Sequence, residues 1–293
     1  MKFERTTLLA PAKINWMLRV LGRRSDGFHE IETIFQTISL ADALTFSPSG
    51  TLELSCDDPA IPVDSSNLVW RAAELMADRF GAPPASIELQ KRIPSGGGLG
   101  GGSSDAATTL MFLARHARVA PSTEELRSVA LELGSDVSFF LKGGTCYATG
   151  RGESLEELAE QNATPLLVVL PDESVMTGEA YALLRGARDG GIVPEGTAIG
   201  FERCHELALR GLLSDTTLLV NDFEDAIFAA RPSLGTIFER VRATGAIWTR
   251  LSGSGSAIVG AFDSTGRRNR AAEWLSDSLT VLPALAMNGA ATA

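Results

Sequence analysis

Polar and apolar residues alternate from Arg5 to Val20 (RTTLLAPAKINWMLRV), the period-two pattern of a half-buried strand. Within that stretch Lys13 and Asn15 share one face, and Ala12, Ile14 and Trp16 share the other. An Asp26-Gly27 turn follows in RRSDGFHE, and IETIFQTISL (31–40) reads as the returning strand. LTFSPSGTLELSC (44–56) predicts a second hairpin around Pro48-Ser49-Gly50. A helix is predicted from Asn67 to Phe80, capped by Ser65 or Ser66 and stopped by Gly81 and Pro83. The strand SIELQKRI (86–93) runs straight into PSGGGLGGGSSDAATTL (94–110). Good helix formers then extend from Ser104 through Arg115, and another helix spans Ser122 to Leu133.

A second unit begins near Ala163 with the short apolar strand PLLVVLP (165–171). Helices are predicted at 178–185, 199–213, 222–230 and 233–243. AIWTRLSGSGSAIVGAF (246–262) reads as strand, glycine turn and strand; a helix at 266–277 and a strand at 279–286 follow. The small-residue tail MNGAATA is expected to fray. At ~100–200 residues per domain the chain divides into two, 1–162 and 163–293. Hairpins interspersed with helices, and no internal repeat, point to an α+β fold rather than a parallel βαβ winding.

Composition narrows the function classes. The chain has 44% hydrophobic and 21% charged residues and a net charge of -10. That acidic balance argues against nucleic acid or an anionic membrane as partner. It does not bar a nucleotide, whose phosphates a few amides and one lysine can hold. Cys56, Cys146 and Cys204 lack a CxxC spacing and fit inert thiols in a reducing cytosol. His29, His116 and His205 are scattered, so no zinc site is legible. MKFERTTLLAPAKIN has no long apolar core and does not read as a signal peptide, nor does any run approach the ~20 apolar residues of a membrane span. A cytoplasmic protein is expected, monomeric or weakly homodimeric.

Chemistry concentrates between Pro94 and Asp105. The glycines at 96, 97, 98, 100, 101 and 102 remove the Cβ atoms that would keep a ligand off the backbone. Such a loop turns successive N–H groups inward as an anion nest, and the helix that follows adds its dipole. Ser103 and Ser104 place hydroxyls there, to cap the helix or to touch phosphate. No lysine follows the glycines, which excludes a Walker A loop. Gly96, Gly98 and Gly101 satisfy GxGxxG, but RHARVAPSTEE stands where a dinucleotide fold needs an acidic strand end. A flexible linker would not hold Leu99 amid its glycines between a strand and a helix.

PSGGGLGGGSSDAA resembles the ATP loop of the GHMP kinases. APAKIN (10–15), GSDVSFFLKGG (134–144) and LSGSGSAIVG (251–260) resemble that family's other motifs, in its order, across most of the chain. The resemblance implies a ribosomal-protein-S5-like N-terminal domain and a ferredoxin-like C-terminal domain. Residues 11–42, the glycine loop and NDFE (221–224) most resemble the branch acting on a cytidine-diphosphate-linked polyol. That branch phosphorylates the 2-hydroxyl of 4-diphosphocytidyl-2-C-methyl-D-erythritol in non-mevalonate isoprenoid biosynthesis. The family usually has tyrosine where Phe28 stands and proline where Ser138 stands.

By the same resemblance, Asp136 is the catalytic base or proton-positioning group and Lys13 its cationic partner. The bland readings are a helix cap for Asp136 and a solvated lysine for Lys13. Pro94, Gly96, Gly97, Gly98, Leu99, Gly100, Gly101, Gly102, Ser103 and Ser104 would hold the phosphates of ATP, with magnesium chelated by the nucleotide and no side-chain metal ligand assigned. Asn67 and Lys91 match positions approaching adenine, although Asn67 also suits a helix cap. Asn15 would orient the acceptor. Phe28 and His29 would recognise cytosine against Tyr181, with Thr177 beside it. Gly253 and Gly255 would allow close backbone approach, and NDFE would fix a helix start. Another GHMP kinase (homoserine, mevalonate or sugar) and a non-catalytic nucleotide-binding protein are the rival readings.

Overall fold

The computed structural model describes residues 3–161, 163–191 and 196–289. Two long strands form its spine. β1 (Thr6–Arg23) and β2 (His29–Pro48) pair antiparallel along nearly their whole length, with irregularities at Pro11/Lys13, Asn15/Met17 and Val20/Gly22. β2 also pairs with β4 (Ala85–Gln90) and β5 (Thr145–Thr149), while β3 (Glu53–Cys56) and β6 (Ser154–Glu157) form the edges. The predicted hairpin over 44–56 is therefore incorrect. β3 leaves β2 and pairs parallel with β4, because its exposed Glu53 and Ser55 suit an edge.

α1 (Leu68–Phe80), α2 (Gly101–His116), α3 (Thr123–Leu133) and α4 (Ser135–Phe140) accompany this sheet. Leu44, Phe46, Ile87 and Leu89 of the strands share one core with Met76, Leu110, Phe112 and Phe139 of the helices. The cap of α1 is Asn67, not Ser65 or Ser66: its Oδ1 accepts from Val69 N at 2.8 Å. α2 begins at Gly101 rather than Ser104, since the N–H of Ser104 already reaches Gly100 O at 2.9 Å. For α3, Ser122 and Glu125 complete a reciprocal capping box.

The second sheet runs β10 (Thr280–Leu285), β7 (Pro165–Leu170), β9 (Ile258–Ala261), β8 (Trp248–Leu251). Alternation along β7 separates its two cores. Leu166 and Val168 face Ala12, Ile14 and Trp16 of β1, where Trp16 and Trp248 lie 4.8 Å apart. Leu167 and Val169 face the helices of the second half. These are α5 (Thr177–Asp189), α7 (Glu224–Ala230), α8 (Pro232–Ala243) and α9 (Thr265–Ser276); α6 (Phe201–Leu209) joins the inter-sheet core instead. The helix predicted over 199–213 ends at Leu209 and gives way to 3-10 turns at Leu212–Ser214 and Thr216–Leu218. The expected domain boundary falls on Asn162, outside the described residues. Of the tail, Met287 is not frayed: its N–H reaches Thr37 O at 2.9 Å and its carbonyl accepts from Gln36; residues 290–293 lie outside the described residues. No helix among the described residues is long and apolar enough to cross a membrane.

Candidate active site

The glycine loop leaves β4, turns through left-handed backbone at Gly96, Gly98 and Gly100, and opens α2. Because the first intrahelical bond is Ser104 to Gly100, the amides of Gly101, Gly102 and Ser103 precede the ladder and have no acceptor within it. They border a cleft of about 280 Å³ lined by Leu68, Lys91, Pro94 and residues 96–103. Ser103 belongs to that lining, whereas Ser104 is fully buried and its hydroxyl has no hydrogen-bond partner among the described residues.

Three hydrogen bonds fasten the loop to the rest of the molecule. Leu99 O accepts from Lys13 N at 2.9 Å, and Gly97 O accepts from Ala257 N at 3.2 Å. Ser252 Oγ donates to Gly98 O at 2.9 Å. A Cβ at Gly98 would lie 2.0 Å from Ser252 O, so the two glycine segments touch backbone to backbone.

Lys13 projects from β1 into a second cleft of about 230 Å³, which also holds Asn15, Leu18, Phe35, Gly98, Gly100, Asp136, Thr177, Tyr181 and Gly253. Its ammonium donates to Asn15 Oδ1 at 2.8 Å, stands 3.8 Å from Asp136 Oδ2 and lies 5.2 Å above the Phe35 ring. Burial pulls the lysine below its ordinary value, opposed by the Asp136 carboxylate. Asn15 is locked from both ends, since its amide donates to Thr33 Oγ1 at 2.7 Å. Asp136 sits in the first turn of α4, 35% exposed at its side chain. It does not cap that helix: the cap is Gly134, with no side-chain hydrogen bond.

Other predicted residues scatter around this pair. Thr177 and Ser254 hydroxyls meet at 3.1 Å, and Gly253 O accepts from Asn221 Nδ2 at 2.8 Å. Gly255 closes the turn through its N–H to Ser252 O and packs toward Leu251, outside the cleft lining. His29 and Tyr181 stack directly, centroids 4.1 Å apart, leaving no space for a base between them. Phe28 is exposed and lies under the Arg151 guanidinium at 4.5 Å. Asn67 points its amide at Pro62 O while it caps α1. Lys91 borders the cleft beside the glycine loop, but its ammonium is bound by Asp42 and Asp105.

Sequence reasoning missed several residues. Arg151 has no motif around it and meets the cleft only through β5 and the turn after it. NDFE does more than start a helix. Asn221 Nδ2 donates to Leu251 O (3.0 Å) and Gly253 O, and Glu224 Oε1 accepts from Leu251 N at 2.9 Å. Burial pushes the Glu224 carboxyl up to about 7 against the pull of Arg250.

The chain is similar to known proteins along most of its length. The pattern of the GHMP kinases N terminal domain matches residues 67–144, and that of the GHMP kinases C terminal domain matches 202–279. The 4-diphosphocytidyl-2-C-methyl-D-erythritol kinase of Salinibacter ruber is 40% identical, covering 91% of this chain and 93% of its own. That of Solibacter usitatus is 42% identical over 93% of this chain and 86% of its own. A crystal structure of 4-(cytidine 5'-diphospho)-2C-methyl-D-erythritol kinase superposes with a TM-score of 0.82 at 35% identity, covering 97% of this chain and 100% of that one. A crystal structure of L. major mevalonate kinase in complex with R-mevalonate shares the fold at TM-score 0.70 and 18% identity, covering 99% of this chain and 100% of that one. The chain belongs to the GHMP kinases, in the branch of the 4-diphosphocytidyl-2-C-methyl-D-erythritol kinases.

Proposed function

We propose that this kinase transfers the γ-phosphoryl group of ATP to the 2-hydroxyl of 4-diphosphocytidyl-2-C-methyl-D-erythritol. The observation that carries the reading is the sharing of Gly98 and Gly100 by two clefts, one lined by loop amides and the other by Lys13 and Asp136. A triphosphate cradled in the first would end where an alcohol in the second begins. Uncapped amides and the α2 dipole suit its phosphates. Magnesium enters chelated by the nucleotide, and none of its ligands is assigned to a side chain.

Phosphoryl transfer through a loose transition state asks the protein mainly to align oxygen and phosphorus and to stabilise charge. Asp136 accepts or orients the proton of the crowded tertiary alcohol as it attacks. Lys13, held by Asn15, pairs with that carboxylate and faces the transferred group. On the far rim, Arg23, Arg185, His29 and Tyr181 line a shallow pocket suited to the cytidine diphosphate end. Burial and the neighbouring arginines hold His29 below its ordinary value, so a neutral imidazole can hydrogen-bond a base edge. For a base to stack on Tyr181, the His29–Tyr181 pair must open, or the base takes the outer face beside Phe28.

The test is to incubate the purified protein with magnesium ATP and, separately, the cytidyl substrate, mevalonate and homoserine. Product phosphorylated at the 2-hydroxyl of the first is expected. Transfer to mevalonate or homoserine in its place would overturn the assignment.

A further inference from the structure

Beneath the phosphate loop lies a buried charge cluster that the reaction scheme above leaves unused. Asp42 of β2 is fully buried and accepts from Arg92 N (2.5 Å), Ile93 N (2.8 Å) and Lys91 Nζ (2.5 Å). Lys91 Nζ also reaches Asp105 Oδ2 at 3.0 Å, in the first turn of α2. One carboxylate thus holds the peptide leading into the loop, and through one ammonium it holds the helix turn leading out.

The charges do not balance if all three groups are ionised. Two carboxylates share a single ammonium, with side chains 0%, 2% and 9% exposed for Asp42, Asp105 and Lys91. Asp105 Oδ1 is buried with no hydrogen-bond partner among the described residues, which is where a proton costs least. Other charged groups here are Asp57, which accepts from Lys91 N at 2.7 Å and pairs with Arg92 at 3.3 Å, and, beside the loop, Lys13 of β1, against Gly100, with its partner Asp136 of α4. The buried residues of α1 and α3 are apolar, Val69, Ala72 and Met76 on one and Val129, Ala130 and Leu133 on the other. Burial, then the Asp42 charge against the pull of Lys91, pushes the Asp105 carboxyl up to about 8. Burial alone would lower Lys91, but Asp105 and Asp42 raise it on balance.

We propose that Asp105 is a proton-bearing positioning residue of the phosphate loop, whose neutral form brings the Asp42–Lys91–Asp105 cluster to zero net charge and whose ionisation weakens nucleotide binding. The proposal rests on the reading that the loop holds ATP. An anionic ligand above the cluster favours the protonated form, so affinity falls as pH rises and Asp105 loses its proton. Linkage of one proton allows at most about a tenfold change in Kd per pH unit.

The experiment is isothermal titration with magnesium and the non-hydrolysable analogue AMP-PNP between pH 6.5 and 9.5. It compares the parent, Asp105→Asn and Gly102→Asp, with circular dichroism confirming each fold. Asparagine copies the shape of the neutral acid, so D105N is expected to remove an alkaline rise in Kd of about five- to tenfold that the parent shows. Should D105N not fold, Asp105→Ser, also neutral and smaller, takes its place. A Cβ at Gly102 meets only Leu68, at 3.9 Å, so G102D tests the loop itself by placing a carboxylate among its amides. If G102D binds nucleotide as the parent does, the loop reading fails and this inference with it. If G102D loses binding while the parent and the neutral Asp105 variant share one pH profile, the loop reading stands and the role of Asp105 is overturned.

Discussion

Gly98→Ala probes the junction on which both clefts depend. The added Cβ would sit 2.0 Å from Ser252 O, roughly 1.4 Å short of ordinary van der Waals contact, at a residue with φ of 74°. Left-handed backbone costs an alanine about 1–2 kcal/mol. Moving the loops apart also strains the Ser252–Gly98 and Ala257–Gly97 hydrogen bonds, worth about 1 kcal/mol each. The expected loss is about 2–4 kcal/mol in urea unfolding. A displacement on the order of 1 Å at the reacting centre costs about 100-fold in kcat/KM. Gly102→Ala is the stability control, since its Cβ meets only Leu68. A G98A protein as stable and as active as the parent would refute the backbone contact between the two glycine segments.

Other perturbations test separate parts of the account. Asp136→Asn should keep the fold and bind nucleotide within a few-fold of the parent, while kcat drops by about 10²–10⁴, read in single-turnover assays. Asn221→Ala leaves Leu251 O and Gly253 O without their side-chain donor, and about 2–4 kcal/mol of stability should be lost in urea unfolding. Glu224 titrates near 7 in the fold because of burial, against an ordinary value of 4.5. Its protonated form therefore favours the folded state, fully so below pH 4.5, and that contribution is lost as pH rises through 7. Between pH 5 and 8 the parent should lose more unfolding free energy than Glu224→Gln; equal slopes would contradict the assignment.

Much of the site could be read from local pattern. Strand alternation put Lys13 and Asn15 together on the face opposite Ala12, Ile14 and Trp16, as the structure has them. The strand, glycine loop and helix around Pro94 were legible because glycine and proline mark turns through the backbone itself. What escaped depends on partners distant in sequence. β3 joins β4 rather than β2, because its exposed Glu53 and Ser55 suit a sheet edge whose partner the hairpin signal within 44–56 does not reveal. β5 and β6 are short strands completed by pairing with β2 and with each other. Asp42 and Asp105 look like ordinary polar residues until the fold buries both against Lys91. The sequence brings Tyr181 near His29 as a wall across a gap, whereas in the fold the two rings are in contact.

The most direct test is a crystal structure with the non-hydrolysable ATP analogue, magnesium and the cytidyl substrate bound together. The account predicts the γ-phosphate on the amides between Gly98 and Ser103, with the 2-hydroxyl about 3 Å from the Asp136 carboxylate. Phosphates bound away from that loop, or a hydroxyl turned from Asp136 in an otherwise ordered complex, would contradict it.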